Sequence, residues 1–515
     1  MITSTITLDA VPLTADAVAA IARRKVQLVL GNEALNRIRK GRHLVERFAE
    51  LDKPVYGLNT GLGASVDTKL ASADLVDFQR SVIYSHSAGV GPMLPVESVR
   101  ALLTARISGM AAGGTGASET LISGLLAALN AEIHPVIPAW GSIGAADLLP
   151  LSHLAKALQG HGEVEYHGRI MPAAEALALA GLPTIALREK DGHAMVVANS
   201  LSTGTACLVI EDVQRFIDWS LAAIALNYEG FRSQLTAIDA EALAARPAFG
   251  QQEIGKRLRD LLAGSELWRD GEARRLQDPL SYRCVPQVWG GLIHALEQAR
   301  KATEIELASS GDNPIILASS ERIVSNGNFD LTAFSLAWEQ VGQALAHCAA
   351  GIANRCLRLM SPIVAALPRF LSASGQSRAG YAELQKPLAA LEAEIRHLAN
   401  PISITPLAVS DGIEDQASMA PRVIAKVQGI IERLRYLVAI ELMSGAVAVE
   451  LRGVVDVLGD GPRRTYEMVR QWVPPLEEDR ELNTDMENLC RLVSGDCPLG
   501  ENLYRLKDAS LQHSA

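Results

Sequence analysis

The residues best placed to do chemistry are a tyrosine, an arginine, a histidine, a glutamate and a lysine. Tyr56 stands in the glycine-punctuated run Tyr56-Gly-Leu-Asn-Thr-Gly-Leu-Gly63, which reads as a loop. A phenol ionises near pH ~10 and serves as a base only where positive charge or hydrogen bonds favour the phenolate. Arg283, closing Gln277-Asp-Pro-Leu-Ser-Tyr-Arg283, offers a guanidinium fork that matches a carboxylate bidentately. His86, in Ser85-His-Ser-Ala-Gly89, can donate or accept at the edge of a heterocycle, and Glu414 can accept a ring N–H. Lys386 could stabilise negative charge as it builds. Each has a plainer alternative. Tyr56 could pack at a turn, Arg283 could pair with Asp278 or Asp312, His86 could be a hydrogen-bonded core histidine, and Lys386 could be a solvated lysine beside Glu383. For Glu414 the plain reading is expensive, because a buried carboxylate demands a partner.

These residues need a scaffold, and its periodicity is helical. From Glu33 the apolar residues recur at three-and-four spacing. The same pattern predicts helices over 74–87, 95–112, 117–132, 192–226, 284–308, 330–360, 379–399 and 415–458. Weak alternation in the first thirty residues, Pro135-Val-Ile-Pro138, and part of 162–186 predict short extended pieces. The fold class is therefore mainly α: an elongated bundle of long antiparallel helices. A loop-rich N-terminal part, 1–200, precedes a helical body with C-terminal helices, 201–515, and the two serve one functional unit.

Composition narrows the function classes. The chain has 515 residues, 48 Lys plus Arg against 58 Asp plus Glu, and a net charge of −10. That balance argues against nucleic acid or an anionic membrane as partner. With 48% hydrophobic and 21% charged residues the chain can bury a large core, and 4% aromatics favour Ala/Leu helices over sheets. The six cysteines, Cys207, Cys284, Cys348, Cys356, Cys490 and Cys497, form no CxxC pair. They read as ordinary thiols in a reducing compartment, with no metal site. The first residues lack a basic stretch followed by an apolar core, so no signal peptide is expected and the location is expected to be cytoplasmic. The apolar run Leu331–Met360 is interrupted by Glu339, Gln340, Gln343, His347, Asn354 and Arg355. It reads as a helix buried on nearly all sides, in a large bundle or oligomer, rather than a membrane span.

Several segments, in order and spacing, resemble the histidine and aromatic amino-acid ammonia-lyase family across roughly residues 50 to 460. The Tyr56 run resembles the family's YGxNTGFG, and Ser85–Gly89 its SHAAG. The Gln277–Arg283 run with Cys284-Val-Pro-Gln-Val resembles QDxYSLRCxPQV. Gly141-Ser-Ile-Gly144 and Asp147-Leu-Leu-Pro-Leu-Ser-His153 resemble the cofactor segment GSVGASGDLAPLAH. Asp312-Asn-Pro314, Gly327-Asn-Phe329 and Glu414-Asp415 complete the set. The resemblance implies a homotetramer with composite active sites and a small-molecule substrate. It makes Tyr56 the base that removes a β-proton, Arg283 the carboxylate anchor, and His86 and Glu414 the pair around an imidazole. Gln277, Asn313, Phe329 and Gln385 match pocket positions.

The cofactor segment departs from the family. Members cyclise an internal Ala-Ser-Gly into a methylidene-imidazolone, which needs a serine to lose water and a glycine nitrogen to attack. Only Ala145 and Ala146 stand between Gly144 and Asp147, and Ile143 after Ser142 is bulky and β-branched, so no prosthetic group is expected. This resembles the branch that lacks the group, the ergothionases, which convert ergothioneine to thiourocanate and trimethylamine. A quaternary amine leaves without activation, and Lys386 would polarise the thione sulfur or the ring. Two further departures are Leu280, where the family has tyrosine (Tyr282 follows two residues on), and Lys190-Asp-Gly-His-Ala-Met-Val-Val197-Ala-Asn199 in place of KEGLALLNGTQ. Val197 takes the family asparagine's place and Asn199 falls two residues late. Three readings stand: a lyase expelling trimethylamine from an imidazole or thioimidazole betaine, an ordinary histidine or aromatic ammonia-lyase, and a non-catalytic homologue.

Overall fold

The computed structural model describes residues 5–51, 54–61, 70–71, 74–372, 378–404 and 407–495. Leu62 and Gly63 of the tyrosine loop and Cys497 lie outside them. Four long helices dominate: Ser200–Phe231, Val285–Ala308, Thr332–Leu359 and Ala420–Arg452. Val285–Ala308 and Thr332–Leu359 match their periodic segments to within two residues at each end, Ser200–Phe231 and Ala420–Arg452 overlap theirs with ends five to eight residues away, and Gln385–Leu398 lies within the pattern at 379–399. Pro387 is tolerated because it lies in that helix's first turn, where amides have no intrahelical acceptor. The strands are short. Thr5–Leu8 pairs in parallel with Gln27–Leu30, and Glu163–Tyr166 runs antiparallel to both Ile133–Pro135 and Arg169–Pro172. A hairpin of Ile315–Leu317 with Arg322–Val324 has no counterpart in the sequence expectations.

The chain divides into two compact units, each built from separated pieces. The first holds Met1–Glu211, Gln298–Trp338 and Pro401–Ala425. The second holds Asp212–Glu297, Glu339–Asn400 and Lys426–Ala515. The expected division near residue 200 lies close to the first boundary, but two later segments return to the first unit. Four of the five boundaries fall inside the four long helices, where no loop or composition change marks them; the fifth, Asn400/Pro401, follows the end of the helix Gln385–Leu398.

The segment Asp191–Phe231 is helical enough and apolar enough to cross a membrane by length and composition, yet its most apolar 18-residue window is fully buried in the protein. Core burial explains its lack of a polar face. Cys207, Cys348 and Cys356 are buried free thiols.

The second unit is organised around a buried ion pair. Arg355 and Glu441 are both fully buried, with Nε–Oε1 at 2.6 Å and Nη2–Oε2 at 3.0 Å. Asn227 Nδ2 donates to the same Oε1 at 3.1 Å, and Tyr282 Oη donates to Asn227 Oδ1 at 2.9 Å. Arg355 also donates to the Ser281 carbonyl at 2.9 Å. This network turns Tyr282 into the core, while Leu280 is 63% exposed. Removing one member of a buried pair leaves an uncompensated charge. Glu441→Ala is expected to lower the unfolding free energy by about 3–5 kcal/mol in denaturant titrations. A loss of under about 1 kcal/mol, the size of a surface pair, would contradict this.

Candidate active site

In the first unit the Tyr56 loop is closed by its own backbone. Leu58 and Asn59 amides both donate to the Val55 carbonyl at 3.1 Å, and Asn59 Oδ1 accepts from the Val55 amide at 2.6 Å. Leu58, Asn59 and Thr60 are buried, and Tyr56 is partly exposed. Gly57 has φ +69°, and a Cβ there would lie 2.7 Å from His193 Cε1, so both backbone and space require glycine. The Tyr56 and His193 rings meet edge to face, with centroids 5.7 Å apart at 88°. Gln79 ties the two together. Its Oε1 accepts from the His193 amide at 2.8 Å and its Nε2 donates to the Gly57 carbonyl at 3.5 Å.

His193 is fully buried, and its Nδ1 has no hydrogen-bond partner among the described residues. Burial, then the positive charges of Lys190, His86 and Arg106, hold its imidazole well below the usual histidine range, so it is neutral. Lys190 has φ +65° and is fully buried, with Nζ donating to the Thr115 carbonyl at 2.7 Å. Burial pulls its ammonium down to about 8, against the attraction of Asp312 and Asp191. Arg106 sits 3.4 Å from Asp312 Oδ1 and also donates to the Ala194 carbonyl. Asp191 accepts from the Ser118 amide at 2.8 Å, Ser118 Oγ at 2.7 Å and the Arg188 amide at 2.9 Å, with Arg42 Nη1 3.8 Å away. Three cations and two aspartates are thus packed around the segment that presents His193 to Tyr56.

The degenerate cofactor segment is equally fixed. Gly144 has φ +77°, and Ser418 Oγ donates to its carbonyl at 2.8 Å; a Cβ at Gly144 would meet that hydroxyl at 2.5 Å. Ala145 bridges to Asp330, and Ala146 has φ +62°. Asp147 is fully buried. Its carboxylate accepts from Ser142 Oγ at 2.8 Å, the Ser202 amide at 2.9 Å and Ser202 Oγ at 3.1 Å. Burial raises its pKa, and the serine hydrogen bonds oppose that rise. The one nearby serine that precedes the gap is therefore committed to Asp147. With no hydroxyl on Ala145 or Ala146, and no glycine nitrogen after them, these residues do not fit a methylidene-imidazolone.

The remaining sequence-identified residues divide between the units. In the first, Asn199 Nδ2 donates to the Phe329 carbonyl at 2.7 Å, and Asn199 Oδ1 is buried without a partner among the described residues. Asn313 Oδ1 accepts from the Asn326 amide at 2.9 Å. His86 Nδ1 lies 2.8 Å from the Val82 carbonyl, which can only accept. Nδ1 therefore carries a proton toward that carbonyl. Glu414 is partly exposed and accepts from Ser410 Oγ at 2.8 Å. In the second unit, Arg283 Nε donates to the Asp278 main-chain carbonyl at 2.8 Å, rather than pairing with either aspartate's carboxylate. Arg283 and the exposed Gln277 line a cavity of about 350 Å³ with Gln234, Thr236 and Gln287. Gln385 Nε2 contacts Met360 Sδ at 4.0 Å. Lys386 is exposed and bonded to Glu383, the surface alternative of the sequence reading. Sequence reasoning missed Gln79, His193, Arg106 and Lys190 as parts of the site. One signal was readable: His193 stands where the family segment has leucine.

Comparison with known proteins places this geometry. A family model described as aromatic amino acid lyase matches residues 13–471. A histidine ammonia-lyase from Myxococcus xanthus is 35% identical, over 98% of this chain and 99% of its own. The crystal structure of the ergothioneine-degrading enzyme ergothionase from Treponema denticola, in complex with desmethyl-ergothioneine sulfonic acid, superposes with a TM-score of 0.92. It is 31% identical, covering 95% of this chain and 99% of that one. Histidine ammonia-lyase from Trypanosoma cruzi gives 0.88 at 28% identity, covering 95% and 93%.

Lys190 supplies a pH test with a definite sign. Between pH 8 and 10.5 the folded protein has released the Lys190 proton that the unfolded chain still binds. Stability therefore rises with pH through that window. Denaturant titrations at several pH values should show this rise in the native protein and lose its Lys190 share in Lys190→Met. Identical slopes in the two proteins would contradict the burial of a strained ammonium.

Proposed function

The chain belongs to the aromatic amino acid lyase family, and from that premise we propose that it expels trimethylamine from an imidazole- or thioimidazole-bearing amino-acid betaine such as ergothioneine. It does so as a carbon–nitrogen lyase without a methylidene-imidazolone. One observation carries the reading. Ala145 and Ala146 cannot cyclise, and Ser142 is bonded to Asp147, yet the Tyr56 loop is intact and closely packed. A primary amine needs an electrophile to become a good leaving group. A quaternary amine needs none, so a site keeping its base and losing its electrophile suits a betaine. The likeness to a solved ergothionase supports the same substrate class.

The chemistry balances with side chains alone. Tyr56, as phenolate, takes the β-proton. The electron pair forms the Cα=Cβ bond, the Cα–N bond breaks, and trimethylamine leaves neutral. Arg283 would hold the substrate carboxylate. His86 Nε2 and the Glu414 carboxylate would accept ring N–H groups, which fixes the ring in the plane of the developing double bond. Asn199, Asn313, Phe329, Gln277 and Gln385 would line the pocket. The site is composite in a homotetramer, a proposal supported by exposed apolar residues such as Leu276, Leu280, Ile363 and Leu407. Light scattering at four times the chain mass would agree with it, and a monomer would not.

The deciding assay incubates the protein with ergothioneine, hercynine and histidine and follows the conjugated acrylate absorbance together with the released amine. Trimethylamine from a betaine is expected. Ammonia from histidine would replace this reading by ordinary ammonia-lyase activity, and silence with tight binding would make the chain a non-catalytic homologue. Tyr56→Phe should cut turnover by about 10²-fold or more while leaving substrate binding nearly unchanged. An active Tyr56→Phe protein would remove Tyr56 as the base.

A further inference from the structure

We infer that the first unit carries a second ligand site, a recess for a small carboxylate with an apolar body, built on the segment that also holds His193. The recess encloses about 790 Å³, a size typical of small-molecule sites. One side is apolar, formed by Ile38, Leu158, Leu177, Leu182 and Ile185. The other is cationic, with Arg39, Arg42 and Arg188, and His43 beside them.

The carboxylates lining the recess already have partners. Glu119 accepts two bonds from Arg39, both at 2.8 Å, and Glu46 accepts from Arg42 Nε at 2.9 Å. Outside the lining, Glu189 accepts from Arg42 Nη2 at 2.8 Å. The Arg188 guanidinium is exposed and makes no hydrogen bond or ion pair with the described residues, so its donors are available to an anion in the recess. The recess also borders the start of the helix Glu119–Asn130, where Ser118, Glu119 and Thr120 line it. That end of a helix favours negative charge. A guanidinium and a helix start at one side, with aliphatic side chains opposite, suit a carboxylate whose body is an alkyl or aryl group.

The recess is mechanically joined to the Tyr56 loop. Arg188 lines it through its side chain, while its amide donates to Asp191 Oδ2 at 2.9 Å. Ser118, another lining residue, bonds Asp191 at 2.7 Å, and Arg42 donates to the Glu189 carbonyl at 2.8 Å. Asp191 begins the short helix Asp191–Val196 that carries His193. Gln79 then links His193 to Gly57. A carboxylate held by Arg188 restrains residues 188–193, and with them the ring that packs on Tyr56.

Binding, not turnover, tests this, so its outcome is independent of the proposed reaction. The full chain is titrated calorimetrically with hexanoate, phenylpropanoate and the neutral phenylpropanol. The carboxylates should bind about tenfold or more tighter than the alcohol, and Arg188→Ala should remove about that factor, the worth of one charge-assisted hydrogen bond. Arg188→Lys should restore part of it. Ser123→Phe, placing a ring in the recess from an exposed helix position, should abolish binding, and Arg283→Ala should leave it unchanged. Hydrogen exchange over 188–196 should slow with phenylpropanoate bound. Absence of carboxylate binding, binding indifferent to Arg188→Ala and Ser123→Phe, or binding lost only with Arg283→Ala would overturn the site. Unchanged exchange over 188–196 would overturn its coupling to the loop.

Discussion

Charge buried away from water has to be paired, and in the first unit that requirement fixes residues 188–193. Arg42 comes from one helix, Ser118 from the cap of another, Thr115 from a turn, and Arg106 and Asp312 from two further segments. All converge on Lys190, Asp191 and the backbone beside them. The outcome is positional as much as energetic. His193 is placed where Gly57 can pack against it without a side chain, and Tyr56 meets its ring edge to face. Displacing any of these partners would leave a buried charge unmatched, so the loop's geometry is held by groups that never touch a substrate.

A similar logic fixes the degenerate cofactor segment. Asp147 is buried and satisfied by Ser142 and Ser202, while Ser418 clamps the Gly144 carbonyl. The segment is an ordinary peptide stretch held rigidly. Neither Ala145 nor Ala146 carries the hydroxyl whose loss forms the electrophile, and the Ser142 hydroxyl is held by Asp147. A site with a fixed tyrosine and no electrophile is suited to a substrate that brings its own leaving group. The neutral state of His193 fits the same picture, since its burial, and then the cations around it, disfavour a further proton beside the base.

Much of the fold is legible in the sequence because its signals are local. Three-and-four spacing marks the long helices, and glycine punctuation marks the Tyr56 loop. The loss of Ala-Ser-Gly is visible by counting residues between Gly144 and Asp147. The two units are not legible, because four of their five boundaries fall inside continuous helices and depend on contacts between distant segments. The site is only partly legible for the same reason. Whether Lys386 faces a pocket or pairs with Glu383 depends on its helix's orientation, and the side chain is 77% exposed. His193 is a plain histidine in an apolar run until Gly57, Gln79 and Lys190 are brought around it. Tyr282 is likewise a plain tyrosine in the sequence until Asn227 and Arg355 are brought around it in the core.

The central claim is that this family member works without a self-made electrophile, and the intact mass of the purified full-length protein tests it most directly. Cyclisation and dehydration of an internal tripeptide remove two waters. The expected result is the mass calculated from the unmodified sequence, unchanged by acid denaturation or by treatment with borohydride. A mass lower by two waters, or a borohydride adduct mapping to residues 141–147, would contradict it.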